Sequence, residues 1–142
     1  MNGAVAIAKY IVNKCFTEGC PVSNLQLQKI LYYIQREFLQ KLDVPAFPEE
    51  IEAWRFGPVV RVVYNRFCGF GGMPIRMRYP KQITVKQGEK AIIDNIVEEK
   101  RGLPPWDLVG DTHEQGKPWA LIFKNGAGDH QIIPKPLIKD KG

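Results

Sequence analysis

Apolar residues recur at steps of three and four through Ala4, Ile7, Ala8, Ile11, Val12 and Cys15, a spacing that gathers them on one face of a helix. A first helix to about Phe16 is predicted, stopped at Gly19-Cys20-Pro21, where Gly supplies a C-cap conformation and Pro removes a backbone donor. Ser23 stands three residues before Gln26, the arrangement of a capping box, and opens a second helix. Its apolar stripe runs through Leu27, Ile30, Leu31, Ile34, Phe38 and Leu42, with Lys29, Arg36 and Lys41 off the line toward solvent, and it ends near Asp43-Val44-Pro45. Tyr32 and Tyr33 point about 100° apart on such a helix, so the two are not expected to face one core.

Between Phe47 and Phe56 the pattern alternates, with Ile51, Ala53 and Arg55 on one side and Glu52, Trp54 and Phe56 on the other, which predicts a short strand. Gly57-Pro58 breaks it, and Pro58 suits the first position of a helix carried on by Val59, Val63 and Phe67 at four-residue steps. Cys68-Gly69-Phe70-Gly71-Gly72-Met73-Pro74 reads as a loop whose glycines take left-handed conformations. It lacks the Lys-Ser or Lys-Thr pair of a Walker loop and the strand-to-helix setting of a dinucleotide fingerprint. Ile75 to Val85 alternates loosely and predicts a second strand. Ala91, Ile92, Ile96 and Val97 mark a further helix closing at Arg101-Gly102, and Pro104-Pro105-Trp106-Asp107 opens a short one carrying Leu108 and Val109. The remainder holds Pro118-Trp119, the turn Asn125-Gly126 and a proline-broken basic tail through Lys139 and Lys141. The expected fold class is mainly α (α+β): five to six helices with a small two- or three-stranded β element around residues 50–56 and 75–85.

With 142 residues, 44% hydrophobic and 25% charged, the chain has the composition of a soluble globule of one domain, which excludes disordered and collagen-like readings. No run approaches the ~18 apolar residues of a membrane span, and Met1-Asn2-Gly3-Ala4 lacks the basic-then-apolar pattern of a secretory signal, so a cytoplasmic location is expected. Cys15, Cys20 and Cys68 form no Cys-x-x-Cys pair, which argues against a disulfide framework or a structural zinc site; Cys15 and Cys68 are expected as small buried apolar residues. The net charge of +5 is modest but unevenly spread. No carboxylate occurs between Glu52 and Glu89, while Arg55, Arg61, Arg66, Arg76, Arg78, Lys81 and Lys86 all fall in that gap, an electropositive stretch suited to an acidic protein or to nucleic acid.

Candidate chemistry is sparse. His113 and His130 are the only histidines, and neither has metal-ligand spacing or a nucleophile relay, so no catalytic residue, metal or cofactor is expected. His113-Glu114 falls short of a His-Glu-x-x-His motif because Lys117 stands at the last position. Glu49, Glu50 and Glu52 read as a solvated face rather than an acid/base pair. Binding is better supported, since aromatics and cations interleave through Trp54, Arg55, Phe56, Tyr64, Arg66, Phe67, Phe70, Arg78 and Tyr79. Such mixing stacks bases, anchors a protein interface or fills a core. Two readings therefore stand beside each other, a protein-binding module and a nucleic-acid-binding regulator using the stretch 54–86; an enzyme acting through His113 and a nearby carboxylate is a third.

Three blocks resemble the Panacea domain shared by SocA-type antitoxins and phage-associated GepA-like proteins. The first is Leu27-Gln28-Lys29-Ile30-Leu31-Tyr32-Tyr33-Ile34-Gln35; the second is Ala53-Trp54 followed by Gly57-Pro58-Val59 and Val63-Tyr64; the third is Thr112-His113 with Pro118-Trp119. Order and spacing agree over roughly residues 4 to 138, so the whole of 1–142 is expected to form one domain of this type. The C-terminus departs, because Pro134 and Pro136 interrupt where the family continues into a closing helix with an aromatic end. The resemblance implies a bacterial or phage-encoded protein without enzymatic activity that neutralises a cognate toxin by direct contact, some members instead delivering the toxin to a cellular protease, with no membrane partner. Lys29, Tyr32, Trp54, Arg55, Tyr64, His113 and Trp119 are the expected partner-binding residues.

Overall fold

The computed structural model describes residues 1–80 and 83–142. Helix α1 spans Ala4–Thr17 and α2 spans Asn24–Lys41. Ile7, Ala8, Ile11, Val12 and Cys15 are buried on α1, the face that the spacing predicts. Its first free amide, on Ala4, donates to the Glu49 carboxylate at 2.9 Å, so one member of the acidic cluster caps a helix. The capping box forms as expected: the Gln26 amide donates to Ser23 Oγ, and the Ser23 amide donates to the Gln26 side chain.

Helix α2 is surrounded. It packs against α1, against the strand β2 at Gly57–Val59, against α3 at Arg61–Phe67, and against α4 at Gln87–Lys100, α5 at Pro105–Thr112 and α7 at Lys135–Lys141. Over residues 27–35 the helix has no solvent face, so Tyr32 and Tyr33 are both buried although they point in different directions, and Lys29 is 0% exposed instead of facing solvent, whereas Lys41 in the last turn is exposed as expected. Its polar side chains hold backbone. Gln35 accepts from the amides of Ala46 and Phe47 and donates to the Phe47 carbonyl, fixing the turn after α2. Gln28 accepts from the Val60 amide at 2.9 Å and donates to Asn24, which donates in turn to the Tyr64 carbonyl, so β2 and α3 hang from the same helix.

Strand β1, Ile51–Trp54, lies in the predicted segment and forms a two-residue hairpin with β2, Trp54 opposite Gly57. Pro58 is thus part of an edge strand, where a missing N–H is tolerated, and the helix begins three residues later than Pro58 suggests. The third strand is β3, Gln131–Ile133, which pairs antiparallel with β1 to give the order β2-β1-β3. The strand expected over 75–85 does not form in its described residues. There the Asn13 side chain clamps Tyr79, accepting from its amide and donating to its carbonyl, and the Ile75 amide donates to Val22, while β3 fills the place beside β1. Lys81 and Gln82, within that expected strand and the basic stretch, lie outside the described residues.

Seven α-helices are described, one more than the upper expectation, the sixth being α6 at Pro118–Phe123. The additional closing helix is α7: Pro136 falls in its first turn, where no intrahelical donor is needed, so the prolines start a helix instead of breaking the tail, and Ile138 joins the core. Of the loop glycines at 69, 71 and 72, only Gly71 has a positive φ, at +60°. Cys15 is buried as expected but Cys68 is exposed, because the turn after α3 faces outward.

Gly57 is the tightest point of the hairpin. Its φ is +117°, and a Cβ there would lie 2.6 Å from Lys29 Cε and 2.9 Å from Thr112 Oγ1. Gly57→Ala is expected to lower unfolding free energy by about 2 to 4 kcal/mol, from backbone strain plus displacement of a buried side chain. Gly19→Ala, at φ +74° with nothing within 4 Å, carries the strain alone and loses about 1 kcal/mol. Urea unfolding of both variants separates the terms, and equal losses would contradict the close packing at Gly57.

Candidate functional site

The turn residues Arg55 and Phe56 border a cleft of about 440 Å³. Alternation on β1 sets Ile51 and Ala53 into the core and leaves Trp54 half-buried on the other side. The Trp54 ring meets Tyr64 of α3 edge-on at 4.9 Å and stacks on His130 at 4.3 Å. Across the cleft Phe56 meets Trp106 edge-on at 5.4 Å, and these two are 45% and 62% exposed, which is unusual for large apolar rings without a partner. Glu52 holds the wall in place, accepting from the Trp54 indole at 2.9 Å and from the Arg61 guanidinium at 2.8 and 3.0 Å. Burial pushes the Glu52 carboxyl up, but the Arg61 and Trp54 hydrogen bonds outweigh it and hold the group below the usual carboxylate range.

A second layer supports that wall. Trp119 of α6 donates its indole N–H to the Trp54 carbonyl at 2.7 Å, and His113 lies flat on Trp119 with ring centroids 3.6 Å apart. Nε2 of His113 is buried without a hydrogen-bond partner among the described residues. Burial, then the nearby Lys29 amine, holds the His113 pKa below its ordinary value.

Lys29 is the unusual group. Its side chain rises from α2 among Gly57, Pro58 and Thr112, contributes to the cleft lining, and donates to the Pro58 carbonyl at 3.3 Å. Burial lowers its pKa from 10.5 to about 7, and no carboxylate opposes that shift. The neighbouring Asn24 and Gln28 are satisfied by one another and by backbone, whereas an ammonium has three N–H groups to place.

Of the expected binding residues, Lys29, Trp54, Arg55 and Tyr64 line one cleft. Trp119 and His113 stand behind it and reach it through Trp54; His113 is not part of the lining. Tyr32 is 4% exposed and packs edge-on against Tyr33, whose hydroxyl donates to Asp111; burial pushes the Tyr32 hydroxyl up to about 12. Phe56, Trp106 and His130 complete the cleft and were not among the residues expected from sequence. Phe56 sits inside the aromatic and cationic run, but Trp106 and His130 are brought in from 50 and more residues away by α5 and β3, which no local pattern shows. In the basic stretch, Arg61 is engaged by Glu52, while Arg66, Arg76, Arg78 and Lys86 are exposed. Among the described residues, no cluster of three His, Cys, Asp or Glu side chains is placed to hold a metal ion, and no helix is long and apolar enough to cross a membrane.

The buried amine ties stability to pH. The unfolded chain keeps the Lys29 proton up to about 10.5 and the folded one releases it near 7, so the folded state gains as pH rises through that interval. Between about pH 7 and pH 8.5 the wild type is expected to gain about 1 to 2 kcal/mol more than Lys29→Met. Cys15, pushed up to about 11 by burial, affects both proteins alike and cancels in the difference. Parallel pH slopes in denaturant titrations of the two proteins would contradict a neutralised Lys29.

Residues 27–120 match the model of the family described as Antitoxin SocA-like, Panacea domain, a span from α2 through the start of α6 that holds most of the cleft. The chain is also 31% identical over 158 aligned residues to Antitoxin SocA of Caulobacter vibrioides (strain NA1000 / CB15N), covering 97% of this chain and 81% of that protein. No solved structure matches it. The hairpin of Ala53-Trp54 and Gly57-Pro58-Val59, the α2 block and the Thr112-His113 pair all fall within the matched span: the chain belongs to the SocA-like antitoxin family with a Panacea domain.

Proposed function

We propose that the protein acts as an antitoxin by seating part of a cognate toxin protein in the hairpin cleft, with no catalysis of its own. The observation that carries this is the pair of exposed rings, Phe56 and Trp106, facing an aromatic wall built from Trp54, Tyr64 and His130. Aromatic and Arg side chains around a concave surface are the usual source of interface affinity. The wall is held by the Glu52 and Trp119 hydrogen bonds before any partner arrives, so little ordering opposes association. Arg55 at the rim and the exposed Arg66 favour an acidic partner surface and speed encounter. Membership of an antitoxin family supports the same reading. Delivery of the bound toxin to a protease uses the same contact and differs in its outcome, since the toxin then disappears from the cell instead of persisting as an inert complex.

Co-expression with the product of the neighbouring reading frame tests the reading. That product is expected to be lethal alone and harmless with the wild type. Phe56→Ala and Trp106→Ala, both exposed, are expected to weaken binding at least tenfold, about 1.4 kcal/mol or more each, while the melting temperature stays near that of the wild type. Full protection by both variants would remove the cleft from the interface. Salt-sensitive retardation of DNA or RNA by the free protein, with protection unaffected, would favour the nucleic-acid reading of the 54–86 stretch.

A further inference from the structure

We infer that the cleft takes a carboxylate-bearing side chain of the partner protein, flanked by apolar residues, with Lys29 as its counter-ion. This rests on the antitoxin reading above and specifies what is recognised. The walls are apolar and aromatic, and they call for rings or aliphatic side chains. Among the polar residues of the lining, Asn24 and Gln28 close their hydrogen bonds within the protein, on each other and on the backbones of Val60 and Tyr64. Asp129 pairs with His130 at 2.9 Å. Arg55, Tyr64, Cys68 and Trp106 are exposed to water at the rim. Lys29 remains: it is 0% exposed, so water does not solvate it, and it has one acceptor, the Pro58 carbonyl, among the described residues.

A buried amine with unfilled donors is a poor arrangement in a free protein and a good one in a complex. A carboxylate arriving in the cleft supplies the missing acceptors and favours the ammonium form, and the apolar walls shield the pair from water. Rotation about the terminal bonds of the side chain releases the Pro58 carbonyl and turns the ammonium toward the cleft. The unmet donors also confer specificity, because an uncharged segment of the same shape leaves the ammonium buried and unpaired. Lys29 lies on α2 beneath Gly57, whose lack of a Cβ makes room for its stem, so the hairpin and the amine form one device.

The test uses the purified full chain with 4-phenylbutyrate, a ring joined to a carboxylate, and 4-phenylbutyramide, its neutral analogue, compared by calorimetry. The acid is expected to bind at least tenfold more tightly than the amide, and Lys29→Met to erase that preference while the far-ultraviolet spectrum is retained. A readout on the wild type alone serves should the variant fail to fold. Binding of the acid at about pH 8 takes up a substantial fraction of one proton, measured in two buffers of different ionisation enthalpy, whereas amide binding takes up none. Equal affinities for acid and amide, no binding of the acid at about 10 mM, or a preference that survives Lys29→Met and vanishes with Arg55→Gln would each overturn the assignment. Those results leave toxin neutralisation by the wild type intact. Failure of the wild type to neutralise its neighbour's product overturns the antitoxin reading instead, whatever the probe does.

Discussion

A helical stretch enclosed on every side cannot leave polar groups to water, and that constraint on residues 27–35 of α2 organises the molecule. Asn24, Gln28 and Gln35 meet it by binding backbone, and in doing so they fix where β2, α3 and the turn at Ala46-Phe47 sit. These are the segments from which the cleft is built. Buried amides of this kind cannot be exchanged singly without leaving a partner unsatisfied, so the position of the hairpin is tied to the identity of residues two layers away. Lys29 obeys the same geometry with fewer partners: among the described residues its amine has one acceptor, the Pro58 carbonyl.

The outer layer follows from the inner one. Once the hairpin is anchored, alternation along β1 places Trp54 away from the core, and Glu52 and Trp119 then hold it from two sides. Rigid support beneath and exposed rings above suit the docking role proposed for the cleft, in which affinity comes from burying Phe56 and Trp106 and not from ordering the wall. The same layering explains why His113 lies near the cleft without lining it. It packs flat on Trp119, part of the support, with its Nε2 turned into the interior.

Periodicity made α1 and the apolar stripe of α2 legible, since each buries the face its spacing selects. What it could not show was the environment of the opposite face. Lys29 and Tyr32 read as exposed or divided because a stripe implies a polar side toward solvent, whereas residues 27–35 of α2 are buried on every side. Prolines misled in two places for one reason: Pro58 and Pro136 mark positions where no N–H is required, and an edge strand and a first helical turn satisfy that equally. The segment from Ile75 has strand-like alternation, yet its backbone partners are a helix side chain, Asn13, and Val22, and β3 pairs with β1 in its stead. Four of the seven expected site residues share the cleft because aromatic and cationic residues cluster around the hairpin. Trp106 and His130 reach it through tertiary structure, which a single sequence does not display.

Hydrogen–deuterium exchange of the protein alone and in complex with the product of the neighbouring reading frame tests most directly whether the hairpin cleft is the docking face. Backbone amides of Trp54 to Gly57, Tyr64 to Gly71 and Asp129 to Gln131 are expected to gain protection on binding, with α2 already protected and unchanged. Protection confined to α4 or α7, with the hairpin exchanging as fast as in the free protein, would contradict it.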